Sequence, residues 1–580
     1  MTSYNLDDHQ IEAIYFYPEH SVIVEAPPGH GKTFVMARRV EYILQSGYIK
    51  YPHKILGLTF SNSAAGEMQD DIRVHLTGDQ IHHTQIMTFH SFCYKVLRAY
   101  GNVISIPRDF MIIGEFQQRR LLNGLIKKIF GNSKDNETAQ NLLDAYQEWI
   151  KENVLRKNPQ FVHPTLQKQI SQLHTEYRNR LSSTQIDYNQ LLTKTIFLFE
   201  QYPNILEFYR ATFRYVIVDE FQDTNPLQFS LLTLIVNGAN SHSNKLPSIP
   251  VFILADHEQA IYRFQGATPE NIEKAKNDFG CKEIGLRVNY RTTSLKILNF
   301  TNILRGHDET LVSDDEKIDF AISNNPNEEA QLILDRLSEY NGSWDEICVI
   351  AQNKFLLNEI REAFSSKIPY IFVPDFRSNA IEEKYESAFE AISQLSNGKI
   401  TKGKLTTQIV QIFRHEKLNW KQDDVLCALY DLAMSFEQTV TQMPFQEKAR
   451  LFYNDIFIEI HWGNLLRKRV RDKVFLSTIH GVKGLQFSQV HLCGLVNYGH
   501  IHHTVCYPCC FGRNLNGFQD QLHNALNMLY VGVTRAQDDL FLYAVKKTAN
   551  GKQRSPICLL QPVQNYLNLP GQVRFCGQDR

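Results

Sequence analysis

One eight-residue turn constrains this chain more than any other feature. Ala26, Pro27, Pro28, Gly29, His30, Gly31, Lys32 and Thr33 follow the short apolar run Ser21-Val-Ile-Val24 and precede a helix-forming segment. A strand feeding a glycine-rich turn and then a helix is a phosphate-binding device. The glycines let backbone N–H groups curl toward a phosphate, and the helix starting near Lys32 adds its positive end. Lys32 is placed to reach the β- and γ-phosphates of a nucleoside triphosphate, and the Thr33 hydroxyl to reach Mg²⁺. Far downstream, the buried run Tyr215-Val-Ile-Val218 ends in Asp219 and Glu220. Ligands of open α/β sheets collect at that edge of a strand. Asp219 suits the metal and Glu220 the attacking water, so the pair predicts ATP hydrolysis on a parallel α/β sheet.

Composition narrows the setting. The 580 residues suggest about three or four structural units. A formal net charge of −1 means that any nucleic-acid site must be local rather than a bulk basic surface. The ten cysteines lack the density of a secreted disulfide scaffold. The start shows no signal-peptide pattern, and no run of about 18 apolar residues is present. These features give a cytoplasmic expectation with no membrane partner.

Further blocks recur in a fixed order. Leu6-Asp-Asp-His-Gln10 is followed by Leu58-Thr-Phe-Ser-Asn-Ser-Ala-Ala65, Thr88-Phe-His-Ser91 and Asp219-Glu-Phe-Gln-Asp-Thr-Asn-Pro226. Then come Ala255-Asp-His-Glu-Gln-Ala-Ile-Tyr262 with Phe264, and Asn289-Tyr-Arg291. Thr478-Ile-His-Gly-Val-Lys-Gly-Leu-Gln-Phe487 and Tyr530-Val-Gly-Val-Thr-Arg-Ala536 complete the series. In this order, from residue 6 to about 545, the chain resembles superfamily 1 helicases of the UvrD/Rep/PcrA type.

The resemblance implies roles that the residue chemistry also suits. Arg291 and Arg535 would bring guanidinium charge to the γ-phosphate, and Gln259 would report its loss. Gln10 would recognise adenine, Tyr290 would stack on its ring with Arg39 in support, and Gln486 would lie near the ribose. Phe60, His90 and Phe264 would be base platforms, and Asn62, Thr88, Thr478 and His480 would bond phosphates or hold those platforms. Partners would be single-stranded and partly duplex DNA. Some positions depart from the family pattern, with Ser63, His257-Glu258, Gln265 and Gln486 replacing a lysine, two acids, an arginine and a glutamate.

The spacing of the blocks implies two RecA-like lobes with mostly helical insertions. Residues 1–107 and 195–288 form the first lobe, around an insertion at 108–194 in which Leu121, Leu122, Leu125, Ile126 and Ile129 have helical periodicity. Residues 289–375 and 470–580 form the second, around a short insertion at 376–469. That short insertion resembles the compact helicases of Gabija-type anti-phage systems, which act beside a nuclease. The expected activity is therefore a 3′-to-5′ DNA helicase or translocase in repair or defence; the alternative is a DNA-end sensor that regulates a nuclease. Between the last two blocks, Cys506 and Cys509 near three histidines read as reduced loop cysteines or as half of a zinc site.

Overall fold

The computed structural model describes residues 6–60, 62–76, 78–130, 141–146, 149–150, 166–181, 184–239, 246–261, 270–306, 317–365, 367–373, 381, 384–397, 403–460, 462–469, 471–497, 519–571, 573 and 575. Two parallel sheets organise them. The first contains β1 (Val22–Glu25), β2 (Lys54–Thr59), β3 (Thr84–Thr88), β6 (Phe213–Val218), β7 (Val251–Ala255) and β8 (Lys282–Gly285). Their order is β3-β2-β6-β7-β1-β8, so β1 and β6 lie on either side of β7 and deliver the phosphate loop and the Asp219-Glu220 pair to one edge.

Side-chain alternation explains why these strands read as unbroken apolar runs. On β6, Val216 and Val218 enter one core while Tyr215 and Ile217 enter the other. On β7, Val251 and Ile253 go one way, Phe252 and Leu254 the other. Both faces are covered by helices, as parallel sheets require. The helices α1 (Asp8–Tyr15), α2 (Lys32–Gln45) and α3 (Asn62–His75) contribute to the second of these cores.

The second sheet has the order β11-β12-β10-β13-β14-β9-β15. Its members are β9 (Ile318–Ser323), β10 (Ile347–Ala351), β11 (Tyr370–Val373), β12 (Val474–Thr478), β13 (Phe487–Leu492), β14 (Ala536–Val545) and β15 (Leu567–Asn568). Every ladder in it is parallel.

The two insertions differ in how they are held. The first has its own core of Leu122, Ile126, Leu143, Tyr146, Leu173 and Tyr177, rooted on a parallel ladder of β4 (Met111–Ile113) and β5 (Gln185–Asp187). Its helix Glu115–Phe130 buries Leu122, Leu125 and Ile126. The first lobe resumes before residue 195, because the Asp187-capped helix Tyr188–Gln201 already packs Leu191, Leu192 and Phe199 into that lobe's core. The second insertion has no separate core. Phe389, Ile409, Leu429 and Trp462 belong to the same cluster as Ile350, Val490 and Leu542 of the second sheet.

The second lobe carries a pH liability. His491 is fully buried, stacked on Phe541 and Tyr543, with its Nδ1 2.8 Å from the Tyr543 hydroxyl. Burial, with help from the nearby Arg336 charge, pushes its pKa from the ordinary 6.5 down to about 3. Below 6.5 the unfolded chain takes up a proton that the folded chain refuses, so stability is full above that pH and falls as pH drops toward 3. The loss per pH unit is about 1.4 kcal/mol. Melting temperatures measured from pH 7 to 4.5 should therefore fall more steeply for the parental chain than for His491→Phe. Equal slopes would refute the assignment.

Candidate active site

The phosphate loop has the backbone that its glycines predict. Gly29 and Gly31 have φ of +84° and +80°, in the left-handed region that favours glycine. A Cβ at Gly29 would lie 2.8 Å from the Arg291 Cβ and the Asn289 amide, so the second lobe's 289–291 segment sits directly on the loop. Asn289 Nδ2 donates to the Pro28 carbonyl, and the Tyr290 N–H donates to that of Gly29. Lys32 opens α2, with its ammonium donating to the Ala26 carbonyl and 3.8 Å from Asp256. The His30 ring nitrogen lies 3.1 Å from the Pro28 carbonyl oxygen, and burial lowers its pKa.

Opposite the loop, β6 ends in two carboxylates with divergent acidities. Burial and the charge of Glu220 push Asp219 up to about 7. Burial opposes ionisation of Glu220 too, but Lys32, Lys483 and the Gln222 hydrogen bond together hold it below the usual range. Glu220 adopts φ +49°, a left-handed conformation uncommon for a non-glycine residue at the end of a strand. Gln222 bridges onward: its Nε2 donates to Glu220, while its Oε1 accepts from the Asp256 N–H at 2.9 Å. Asp256 in turn accepts from Gln259 Nε2 at 2.8 Å.

Gln259 is where the lobes meet. Arg535 Nη2 donates to its Oε1 at 3.3 Å, and Lys483 Nζ donates to its carbonyl at 2.7 Å. The neighbouring residues are engaged as well. Glu258 pairs with Arg305, Asn527 Nδ2 donates to the Ala260 carbonyl, and His480 bonds the backbone of Ile261. Lys483 also grips both Asp223 oxygens, at 2.8 and 2.6 Å. Burial pushes the Asp223 carboxyl up to about 7 even against those contacts, so the pair only partly offsets its own desolvation. Arg291 is mostly buried and Arg535 wholly so. Burial, then the charge of Arg291, pushes Arg535 down to about 10.

These groups line one cleft of about 200 Å³ that includes Lys32, Thr33, Asp219, Glu220, Gln259, Arg291, Lys483, Gln486 and Arg535. Thr33 and Asp219 supply hydroxyl and carboxylate oxygens there, a donor set that fits Mg²⁺ completed by substrate phosphates. Gln10 is buried in the capping box of α1, its Nε2 3.0 Å from where a Cβ on Gly31 would stand. Half-exposed Tyr290 donates from its hydroxyl to Asp7 at 2.7 Å, closing the same side. Gln486 accepts from Gln537 at 3.2 Å.

Burial corrects the expectation for Arg39 and shows how other expected residues are held. Arg39 is fully buried. Its guanidinium donates to the carbonyls of Ile14, Phe16 and Tyr17 and to the Tyr215 hydroxyl, so it anchors the α1 turn and does not face the nucleotide cleft. Thr88 is buried and caps the helix Phe89–Tyr100 by accepting from the Ser91 N–H. Thr478 is buried and accepts from the Gly481 N–H. Both hydroxyls accept within local turns, and Thr88 thereby caps the helix that carries His90, which suits the role of holding a platform in register. Half-buried His480 bonds the backbone of Ile261, and desolvation pushes its pKa down to about 4.

Phe60 is half-buried, lines the nucleotide cleft and packs against the second lobe's core, which makes it an interlobe contact. His90 lies against Tyr188, with ring centroids 4.5 Å apart. The side chain of Asn62, all of Phe264 and the Cys506–Cys509 segment lie outside the described residues. Among the described residues no group of three or more His, Cys, Asp or Glu side chains is arranged to hold a metal ion. No helix among them is long and apolar enough to cross a membrane.

Sequence reasoning missed Lys483, Asp223 and the Gln222–Asp256 bridge. The available signal was a lysine set among Gly481, Val482, Gly484 and Leu485, where a cation must find a partner.

Comparison with known proteins places this geometry. Residues 6–280 match the UvrD/REP helicase N-terminal domain, and residues 373–547 the UvrD-like helicase C-terminal domain. The ATP-dependent DNA helicase PcrA of Staphylococcus epidermidis is 30% identical over 391 residues, covering 64% of this chain and 51% of that protein. PcrA of Staphylococcus aureus is 29% identical over the same shares. The chain spans about half the length of the curated relatives it matches. With both halves of the helicase core matched and its nucleotide residues gathered between two parallel sheets, the chain belongs to the UvrD/Rep/PcrA-like family of superfamily 1 helicases.

Proposed function

We propose that this chain is an ATP-driven motor that moves 3′ to 5′ along single-stranded DNA and separates duplex ahead of it. The observation that carries this reading is the strip 256–261. Its Gln259 side chain lines the nucleotide cleft, and the second lobe contacts the strip through Arg305, His480, Lys483, Asn527 and Arg535. A change at the γ-phosphate position is therefore passed to the second lobe through side chains already in contact. Alternating closure and opening of two DNA-binding lobes is what stepping needs.

The chemistry rests on this chain's own groups. Lys32 neutralises phosphate charge, Glu220 orients and deprotonates the attacking water, and Arg291 and Arg535 stabilise charge that spreads over the transferring phosphoryl group. Thr33 and Asp219 would hold Mg²⁺, which supplies further neutralisation of phosphate oxygens when bound.

A strand-displacement assay tests the motor. The isolated chain with ATP and Mg²⁺ should release the shorter strand from a duplex with a 3′ single-stranded tail, and far less from one with a 5′ tail. DNA-stimulated hydrolysis without displacement would favour the second reading, a DNA-end sensor that regulates a partner nuclease. That reading draws on the second insertion, a compact element merged into the lobe core, which suits a subunit working beside another enzyme in anti-phage defence. A repair role in the cytoplasm is equally compatible with the motor. Co-purification of the native chain with a nuclease would assign the defence role.

A further inference from the structure

The helix Phe89–Tyr100, capped by Thr88, carries the candidate base platform His90 in its first turn and then runs along the first lobe. Residues 90, 94 and 98 are four apart, so they form one stripe on that helix. Each is tied to the second insertion. The His90 ring lies against Tyr188, whose hydroxyl donates to the Ile458 carbonyl at 3.0 Å. The Tyr94 hydroxyl accepts from Asn454 Nδ2 at 3.2 Å, and Arg98 pairs with Glu447. Yet the segment carrying Glu447, Asn454 and Ile458 packs through Phe445, Ala449 and Phe452 into the second lobe's core. An element built into one lobe is thus docked along the helix of the other that carries His90.

Asn454 is the centre of this contact. It sits on the π-helical turn Phe452–Ile456 and is 2% exposed. Such wide turns recur where a helix must aim a particular side chain. Its Oδ1 accepts from the Ile112 N–H on β4 at 3.0 Å, and its Nδ2 donates to the Phe110 carbonyl at 3.3 Å as well as to Tyr94. One amide therefore satisfies three groups on two segments, the helix Phe89–Tyr100 of the first lobe and the Phe110–Ile112 stretch at the root of its insertion. Leu451 and Ile458 pack beside it against the first lobe's core. Two of the other interlobe contacts, Lys483 to Asp223 and Arg535 to Gln259, are made by side chains that line the cleft where nucleotide would enter, whereas Asn454 is not among that cleft's lining residues.

We propose that Asn454 is a positioning residue for DNA binding: it keeps the second insertion docked on the first lobe throughout the ATP cycle, so the lobes move about this fixed contact while His90 is held at the strand. The role of His90 rests on the motor reading above; the docking does not.

Gly114 supplies the test. A Cβ built on it stands 3.8 Å from the Ile458 Cβ, the separation found in disulfides, and it is not among the positive-φ glycines. In Gly114→Cys/Ile458→Cys, mild oxidation should form the cross-link fully, both at rest and during turnover on single-stranded DNA. ATP turnover should match that of the reduced protein. Failure to cross-link, or a loss of turnover on oxidation that reductant restores and the parental chain does not show, overturns the proposal.

Asn454→Leu should raise hydrogen exchange along β4 and the helix Phe89–Tyr100. It should also weaken single-strand affinity about tenfold while leaving DNA-independent hydrolysis unchanged. Adding the oxidised cysteine pair to Asn454→Leu should restore the affinity, because a tether replaces a positioning bond but not a DNA contact. Unchanged exchange in Asn454→Leu, or no rescue by the tether, overturns the positioning role. If the parental chain binds no DNA while cross-linking and exchange behave as stated, the motor reading fails and the docking stands.

Discussion

Glu220→Gln should bind ATP and single-stranded DNA as the parental chain does while hydrolysing ATP about 10²–10⁴-fold more slowly. The substitution keeps the size of the side chain and an oxygen that can accept from Gln222, so the bridge to Asp256 survives. What it removes is the carboxylate. Lys32 and Lys483 hold Glu220 ionised although it is buried, and an ionised carboxylate at the edge of β6 can take a proton from water. Steady-state hydrolysis at saturating DNA, alongside binding of a fluorescent nucleotide, separates the two effects. Parental turnover in this variant would remove Glu220 from the mechanism. Lys32→Ala should also abolish turnover, but with weakened nucleotide affinity, because it deletes a charge that meets the phosphates in the ground state as well.

Legibility followed the physics of each element. The phosphate loop and β6 could be read directly, because backbone curvature demands Gly29 and Gly31, and a strand buried on both faces must be apolar until it delivers its carboxylates. The helix Glu115–Phe130 was legible from its spacing, since one face buries Leu122, Leu125 and Ile126. Burial of polar groups was not legible. Thr88 and Arg39 have side chains that could face DNA or nucleotide equally well, and only the fold shows one capping a helix and the other filling a nest of carbonyls. Lys483 and Asp223 lie 260 residues apart, a pairing that no local pattern encodes. The Asn454 contact depends on a π-helical turn whose extra residue leaves no mark in a 3.6-residue period.

Arg291→Lys and Arg535→Lys should each lower DNA-stimulated turnover by about 10³-fold or more, the scale on which an arginine delivered to a transferring phosphoryl group acts. Lysine retains the charge but not the planar fork of donors. For Arg535 the distinction is concrete: its guanidinium donates at once to the carbonyls of Val531 and Leu485, to Thr534 and to Gln259. One ammonium cannot serve all four directions, so the charge would be retained while its aim at Gln259 and the cleft is lost. Arg291 is aimed differently, through Asn289, whose Oδ1 accepts from the N–H groups of Arg291 and Thr292 while its amide nitrogen holds Pro28 on the phosphate loop. The two arginines therefore report separate supports for one charge pair, and burial beside each other already lowers the pKa of Arg535. A lysine at either position offers an incoming triphosphate the charge without the aimed fork of donors, so ATP should raise the melting temperature of the parental chain more than that of either variant. Single-strand affinity without nucleotide should be unchanged in both. Lost DNA binding with normal turnover would make these residues strand contacts and return the charge stabilisation to Lys32 and Lys483 alone.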